Sequence, residues 1–180
     1  GGGVVGFNMG KQINDSPWGV QFGGTYGSYD WKGRNSGNED TISQSQFFFT
    51  GGLYRKASAD SPFSMGIMYD MMVNDNFGSR SDEPFLTQYR LQFGYALNAR
   101  NEIGTWMALA DRTANQGPVG GVMTYRAENT YNLYLNHKFV SGAQSVGWIG
   151  AAQNSRIAGG GTLYSFVFGN YTVVPMTERL

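Results

Sequence analysis

The chain has 180 residues, with 13 basic and 13 acidic side chains, one histidine and no cysteine. Zero cysteine excludes a disulfide scaffold and a thiolate-ligated zinc or iron–sulfur site, and zero formal net charge argues against a nucleic-acid partner, which calls for a basic surface. Only 14% of residues are charged while 15% are aromatic and 27 are glycine, a composition too apolar for disorder and a length suited to one domain over residues 1–180.

Period-two alternation recurs from end to end and predicts strands at 3–13, 18–30, 41–56, 63–73, 85–97, 102–112, 124–140, 145–154 and 163–174. In the second, Trp18, Val20, Phe22 and Tyr26 oppose Gln21, Gly23 and Thr25. In the third, Phe47, Phe49 and Leu53 oppose Gln44, Gln46 and Thr50. Met65, Ile67, Tyr69, Met71 and Val73 of the fourth oppose Ser64, Gly66 and Asp70. The fifth is clearest: Phe85, Tyr89, Leu91, Phe93 and Tyr95 oppose Gln88, Arg90, Gln92 and Gly94. In the seventh, Tyr131, Leu133, Leu135 and Phe139 oppose Asn132, Asn136 and Lys138. Successive strand side chains point to opposite faces, so every segment has one greasy and one polar face. No window holds 18 consecutive apolar residues, as a membrane-spanning helix requires.

Short connections at Asn14–Pro17, Ala57–Pro62, Asn98–Asn101 and Ser141–Gln144 carry tight-turn residues. Longer ones fall near 31–40, 74–84, 113–123 and 155–162. Alternating short and long connections gather all long loops at one end of an antiparallel up-and-down meander, the pattern of outer-membrane barrels. The first and ninth strands both lead into the short-turn end, so they run parallel, whereas a closed barrel of this kind needs an even antiparallel count. At least one strand is then expected from outside this sequence, either from further chain or from a neighbouring subunit. The whole barrel would have about ten to twelve strands, enough for a narrow pore. The chain opens Gly1-Gly2-Gly3 and closes Met176-Thr177-Glu178-Arg179-Leu180, which reads as the entry to another hairpin and as a segment of a longer protein.

The same alternation suits a soluble sandwich, with the apolar parity packed inside. Three features favour a membrane barrel. The polar parity is Gln, Asn, Thr, Ser and Gly with little Lys or Glu, unlike a soluble surface. Aromatics stand near strand ends (Trp18, Trp31, Phe63, Phe85, Tyr95, Phe139, Tyr164), as in an interfacial girdle. Charges gather in connections, among them Lys32, Arg34, Glu39, Asp40, Arg80, Asp82, Glu83, Arg100 and Arg156. On this reading Phe22, Phe47, Phe49, Ile67, Tyr69, Leu91, Phe93, Leu133 and Leu135 face lipid. Gln21, Gln44, Gln46, Asp70, Gln88, Arg90, Gln92, Asn132 and Asn136 face the lumen.

Six stretches resemble an uncharacterised family of planctomycete outer-membrane β-barrels: GGGVVGFNMG (1–10), WGVQFGGTYGSYDWKGR (18–34), FFFTGGLYRK (47–56), MGIMYDMMVNDNFG (65–78), LQFGYALNARNEIGTWMAL (91–109) and GGTLYSFVFGNYTVVPMTERL (160–180). The resemblance implies a cell-surface barrel without an assigned enzymatic role, and a chain that continues past Leu180. It carries over no functional residues.

Candidate chemistry is sparse. His137 is the only histidine and has no nucleophile signature beside it, so it reads as a histidine near a strand end rather than the base of a lipid-modifying barrel enzyme. Asp70, Asn74, Asp75 and Asn76 are rich in oxygen ligands, but EF-hand spacing and its closing Glu are absent, and a solvated turn is the expectation. Asp111 and Arg112 read as a strand end. The paired glycines are not phosphate cradles, since no Lys-Ser or Lys-Thr follows them; within strands they permit bending or close approach. The sequons at Asn14 and Asn170 carry no weight. The expectation is therefore a non-enzymatic outer-membrane barrel, porin-like or structural, with no cofactor, metal or catalytic residue. Its expected partners are outer-membrane lipid, with self-association or neighbouring subunits as the further expectation, and no nucleic acid. The alternative is a subunit of an extracellular or cell-surface fibre or tube, completed by strands from its neighbours.

Overall fold

The structure, a computed structural model, describes residues 1–29, 43–77, 82–116, 122–154 and 163–174. In it the chain forms β1 (Gly2–Gln12), β2 (Trp18–Tyr29), β3 (Gln44–Arg55), β4 (Phe63–Asp75), β5 (Phe85–Ala96), β6 (Asn101–Ala110), β7 (Thr113–Gln116), β8 (Met123–Arg126), β9 (Asn129–Lys138), β10 (Gln144–Asn154) and β11 (Leu163–Val173). Nine of these make one antiparallel sheet in the order β1-β2-β3-β4-β5-β6-β9-β10-β11, and β7 pairs only with β8. The sheet curves into an open half-barrel. Residues as far apart in sheet order as Gln21 on β2 and Tyr171 on β11 line one chamber.

Each neighbour in the meander is also the neighbour in sequence, apart from the β7–β8 excursion. The tight turns make that possible. Asn14 takes a left-handed φ of 49° and Gly142 one of 83°, conformations that Asn and Gly accept at low cost. The Asn98 side-chain oxygen accepts the backbone N–H groups of Arg100 and Asn101 at 2.9 Å each, a local bond that closes the β5–β6 turn.

The register carries the alternation across the whole sheet. Phe22 sits beside Met9 and Gly51, and Leu53 lies between Val20 and Ile67. Ile67 is followed by Leu91 and Met107. Ile103 pairs Leu135, and Leu133 pairs Ile149, which pairs Phe168. One face is therefore predominantly apolar, interrupted by Thr87, Thr105 and Asn170. Burial is inverted relative to a soluble domain. Asp70, Asn74, Thr50 and Asn132 are buried, while Leu133 is 62% exposed and Phe168 is 76% exposed. Apart from Tyr134 and Val146, the buried hydrophobic side chains among the described residues are alanines.

Two parts of the strand pattern come out differently. The segment read as one strand over 124–140 is two, β8 and β9, and the connection expected over 113–123 begins with β7. The hairpin they form leaves the sheet at the loop end. Tyr125 on β8 packs edge-on against Phe77 at 5.7 Å, and its hydroxyl donates to Asp82 Oδ2 at 2.6 Å. The connection expected over 74–84 also starts later, because β4 runs to Asp75.

Large rings on the concave face rest on glycines of neighbouring strands. Trp148 lies over Gly169 and Tyr134 over Gly94 and Gly104; a Cβ at any of the three would strike the ring. In register these form one row, with Tyr134 and Trp148 side by side and Gly104 and Gly169 flanking them. At Gly169 the nearest atoms all belong to the Trp148 side chain. Overpacking of this kind costs about 1–3 kcal/mol. Gly169→Ala should therefore lower the unfolding midpoint in a Trp148 background and have a much smaller effect in a Trp148→Ala background, as read by denaturant titration of the two pairs. Equal losses in both backgrounds would show that the ring is not the obstacle.

Candidate functional site: a polar concave face behind an apolar wall

The site has two faces because a strand has two. All nine residues expected to face inward, Gln21, Gln44, Gln46, Asp70, Gln88, Arg90, Gln92, Asn132 and Asn136, share one parity of the register. All nine of the opposite set, Phe22, Phe47, Phe49, Ile67, Tyr69, Leu91, Phe93, Leu133 and Leu135, share the other.

On the concave face the polar side chains bind each other. Thr50, Asp70 and Gln88 occupy one row across β3, β4 and β5, and Arg90 reaches them from the diagonal position, two residues along β5. Arg90 Nε and Nη2 donate to the two Asp70 carboxylate oxygens at 2.8 and 3.0 Å. Arg90 Nη2 also donates to Thr50 Oγ1 at 3.1 Å, and Gln88 Nε2 donates to Asp70 Oδ2 at 3.0 Å. Nearer the loop end, Gln46 Nε2 donates to Asn74 Oδ1 at 2.7 Å, while Asn74 Nδ2 donates to the Pro84 carbonyl at 2.8 Å. Toward the turn end the Tyr134 hydroxyl accepts from Gln92 at 3.1 Å and donates to Glu102 at 2.5 Å. Among the described residues the Asn132 amide, buried on both its nitrogen and its oxygen, has no hydrogen-bond partner, and neither does Asn136 Oδ1.

These contacts correct the reading of Asp70 and Asn74 as part of a solvated turn. Both lie within β4 and are at most 2% exposed. Asp75 has the opposite parity, and Asn76, at φ 55°, begins the connection. The four oxygens-bearing side chains therefore do not converge.

Between the turn end and mid-sheet the concave face lines an open-sided chamber of about 1070 Å³. Its floor carries Tyr54, Trp106, Tyr134, Trp148 and Tyr171, and its rim carries Lys56, Arg100 and Lys138. Trp148 meets Trp106 at 6.5 Å and Tyr171 at 6.1 Å between ring centroids. These rings were not among the sequence-level candidates, since aromatics were assigned to the outer parity. For Tyr54, Tyr134 and Trp148 the signal is an aromatic on the polar parity with a glycine directly across the strand pair; Trp106 and Tyr171 face Asn132 and Val146 and carry no such signal.

The outer face is a predominantly apolar wall. Phe63 contacts Phe93 at 5.6 Å and Tyr95 at 5.4 Å; Tyr69 contacts Tyr89 at 4.9 Å, and Phe7 contacts Phe22 at 6.2 Å. Trp18, Phe63, Tyr95 and Phe139 stand at its turn end, and Phe85 and Tyr164 at its loop end; Trp31 lies outside the described residues. The Arg112 guanidinium covers the Phe85 ring at 5.0 Å. Thr87 has outer parity yet is buried: its hydroxyl and that of Tyr69 both donate to Asp111 Oδ2, at 3.2 and 2.8 Å. His137 lies at the turn end of β9, with Nδ1 2.7 Å from Asn101 Oδ1 and its ring edge-on to Phe139 at 4.6 Å.

The fold thus defines an all-β antiparallel meander, rolled into an open half-barrel with a polar hollow and an apolar exterior. The chain belongs to a family of unknown function, DUF6666, whose profile matches residues 1–180. Neither a curated protein nor a solved structure matches it.

Removing one partner of a buried ion pair strands the other's charge, at a cost of about 3–5 kcal/mol for a fully buried pair. The Arg90 side chain is 40% exposed against 2% for Asp70, which reduces this to about 2 kcal/mol. Asp70→Ala should lower unfolding stability by that order, and Asp70→Leu combined with Arg90→Met should recover most of the loss. A double variant as unstable as the sum of the two singles would contradict it.

Proposed function

We propose that this chain forms the wall of a non-enzymatic outer-membrane β-barrel, porin-like or structural, with its apolar parity against lipid. The single observation that carries this reading is the inverted burial. In a soluble sandwich the apolar parity is covered and the polar parity meets water; here Asp70, Asn74 and Asn132 are buried while Phe93, Leu133, Ile149 and Phe168 are exposed. An exposed apolar surface of this extent marks a membrane or partner surface. A membrane is the medium suited to a wall that is apolar on every strand.

The dimensions agree. The 13 residues of β4 span about 40 Å at about 3.3 Å per residue, and a tilt of about 40° leaves about 30 Å along the barrel axis, enough for a hydrocarbon core. Antiparallel pairing across eight successive strand pairs satisfies the backbone of the seven inner strands, as lipid demands, and leaves one edge each of β1 and β11 for a further strand to close. The unpartnered amide of Asn132 supports a wet hollow, because buried polar groups otherwise find partners. The resemblance to planctomycete outer-membrane barrels points the same way, as does the tethering of His137 between Asn101 and Phe139, away from any nucleophile pairing.

The open edges favour a second reading. β1 and β11 each have one strand neighbour among the described residues, and unpaired edges template pairing with other strands. A subunit of an extracellular or cell-surface fibre or tube would use them. Electron microscopy separates the two, with filaments or tubes formed without amphiphile supporting the assembly.

Under the barrel reading the purified protein stays monodisperse only in detergent and floats with liposomes after reconstitution. Leu133→Arg, at the middle of β9, costs about 2–4 kcal/mol of insertion energy and depletes the floated fraction, whereas Leu97→Arg, in the β5–β6 turn, does not. A monomer soluble in plain buffer would overturn the reading.

A further inference from the structure

We propose that the turn end of the concave chamber selects small anionic solutes, with Lys56, Arg100 and Lys138 as the selecting charges; this rests on the porin-like reading above. The charges on the chamber wall are one-sided. Arg55, Lys56, Arg90, Arg100 and Lys138 line it, against Glu102 as the only carboxylate among its described lining residues. Arg90 is neutralised by Asp70. Arg55 is turned onto the Phe63 carbonyl at the end of its strand.

Lys56 follows β3, Arg100 precedes β6 and Lys138 ends β9, and all three are exposed. Among the described residues none of the three has an ion-pair partner. The Glu102 carboxylate is engaged by the Tyr134 hydroxyl. Asp15 and Asp60 lie in turns at this end but do not line the chamber. The described carboxylates of the loop end, Asp75, Asp82, Glu83, Asp111 and Glu128, do not line it either.

Geometry makes three charges sufficient. A chamber of 1070 Å³ has a linear dimension of about 10 Å, comparable to the screening length of about 8 Å at physiological ionic strength, so wall charges act across its width. Its floor of Trp106, Trp148 and Tyr171 is uncharged and of low dielectric constant relative to water. Field lines from the rim are thus focused into the aqueous space, which raises the local concentration of anions. Rings of Lys and Arg around a pore select anions by the same means.

The test is a reversal-potential measurement on the detergent-purified full-length protein, with every strand that closes the barrel, in planar bilayers under a potassium chloride gradient. The wild-type protein should pass chloride several-fold more readily than potassium, with the preference falling as total salt rises. Lys56→Gln, Arg100→Gln and Lys138→Gln combined should abolish the preference, and the three changes to Glu should reverse it. Arg112→Gln, on the outer face, should leave it unchanged. Neutral and charge-reversed variants are paired so that misfolding of one still leaves the other to decide. A cation-preferring wild-type channel, or triple variants with wild-type selectivity, would overturn the anion assignment and leave the porin-like reading standing. Absence of any conductance in the wild type would overturn the porin-like reading and the anion assignment with it.

Discussion

Unbroken backbone pairing from β1 to β11 is the constraint on which everything else depends. Antiparallel neighbours in register place every second side chain of all nine strands on the same side. A slip of one residue at any pair would turn a strand's greasy set into the hollow and its polar set onto the wall. Both faces oppose such a slip. On the wall, Leu53 and Ile67 would lose apolar neighbours; in the hollow, Asp70 would lose Arg90. The register is therefore held by two independent sets of contacts of opposite chemistry.

The hollow solves a packing problem in an unusual way. A sheet with Asp, Arg, Asn and Gln on its concave side cannot fill that side with a dry core, because each buried polar atom needs a partner. From mid-sheet to the loop end the side chains satisfy each other, as in the Thr50, Asp70, Gln88 and Arg90 cluster and the Gln46–Asn74 pair. Near the turn end they leave space, floored by rings, of which Tyr134 and Trp148 approach the backbone because Gly94, Gly104 and Gly169 carry no side chain. The shape of the chamber there follows from placing Tyr134 and Trp148 over glycines; selection by the rim charges is the proposal built on it.

Much of this was legible in the sequence. The period-two segments at 63–73 and 85–97 coincide with β4 and β5 to within two residues, because tight-turn residues bound them and the contrast between faces is large. The assignment of Leu91 and Gln92 to opposite faces followed from parity alone. The β7–β8 hairpin was not legible, since Thr113–Gln116 is short, without apolar alternation, and Met123–Arg126 runs almost directly into β9. The burial of Asp70 and Asn74 was hidden by composition: Asp and Asn near a connection resemble turn residues unless their partners Arg90 and Gln46, far away in sequence, are known. The inner rings were missed because an aromatic on the polar parity is recognised only when the glycine opposite it is read together with it.

The central claim is that the wall of Phe, Leu, Ile and Tyr meets acyl chains. The chain lacks cysteine, so single cysteines introduced along β5 from Tyr89 to Tyr95 can carry nitroxide labels in reconstituted liposomes. With Gly94 left unlabelled, because a side chain there would strike Tyr134, the account predicts collision with dissolved oxygen peaking at positions 89, 91, 93 and 95, and collision with a water-soluble relaxant peaking at 90 and 92. High access of the water-soluble relaxant to positions 91 and 93 would contradict it.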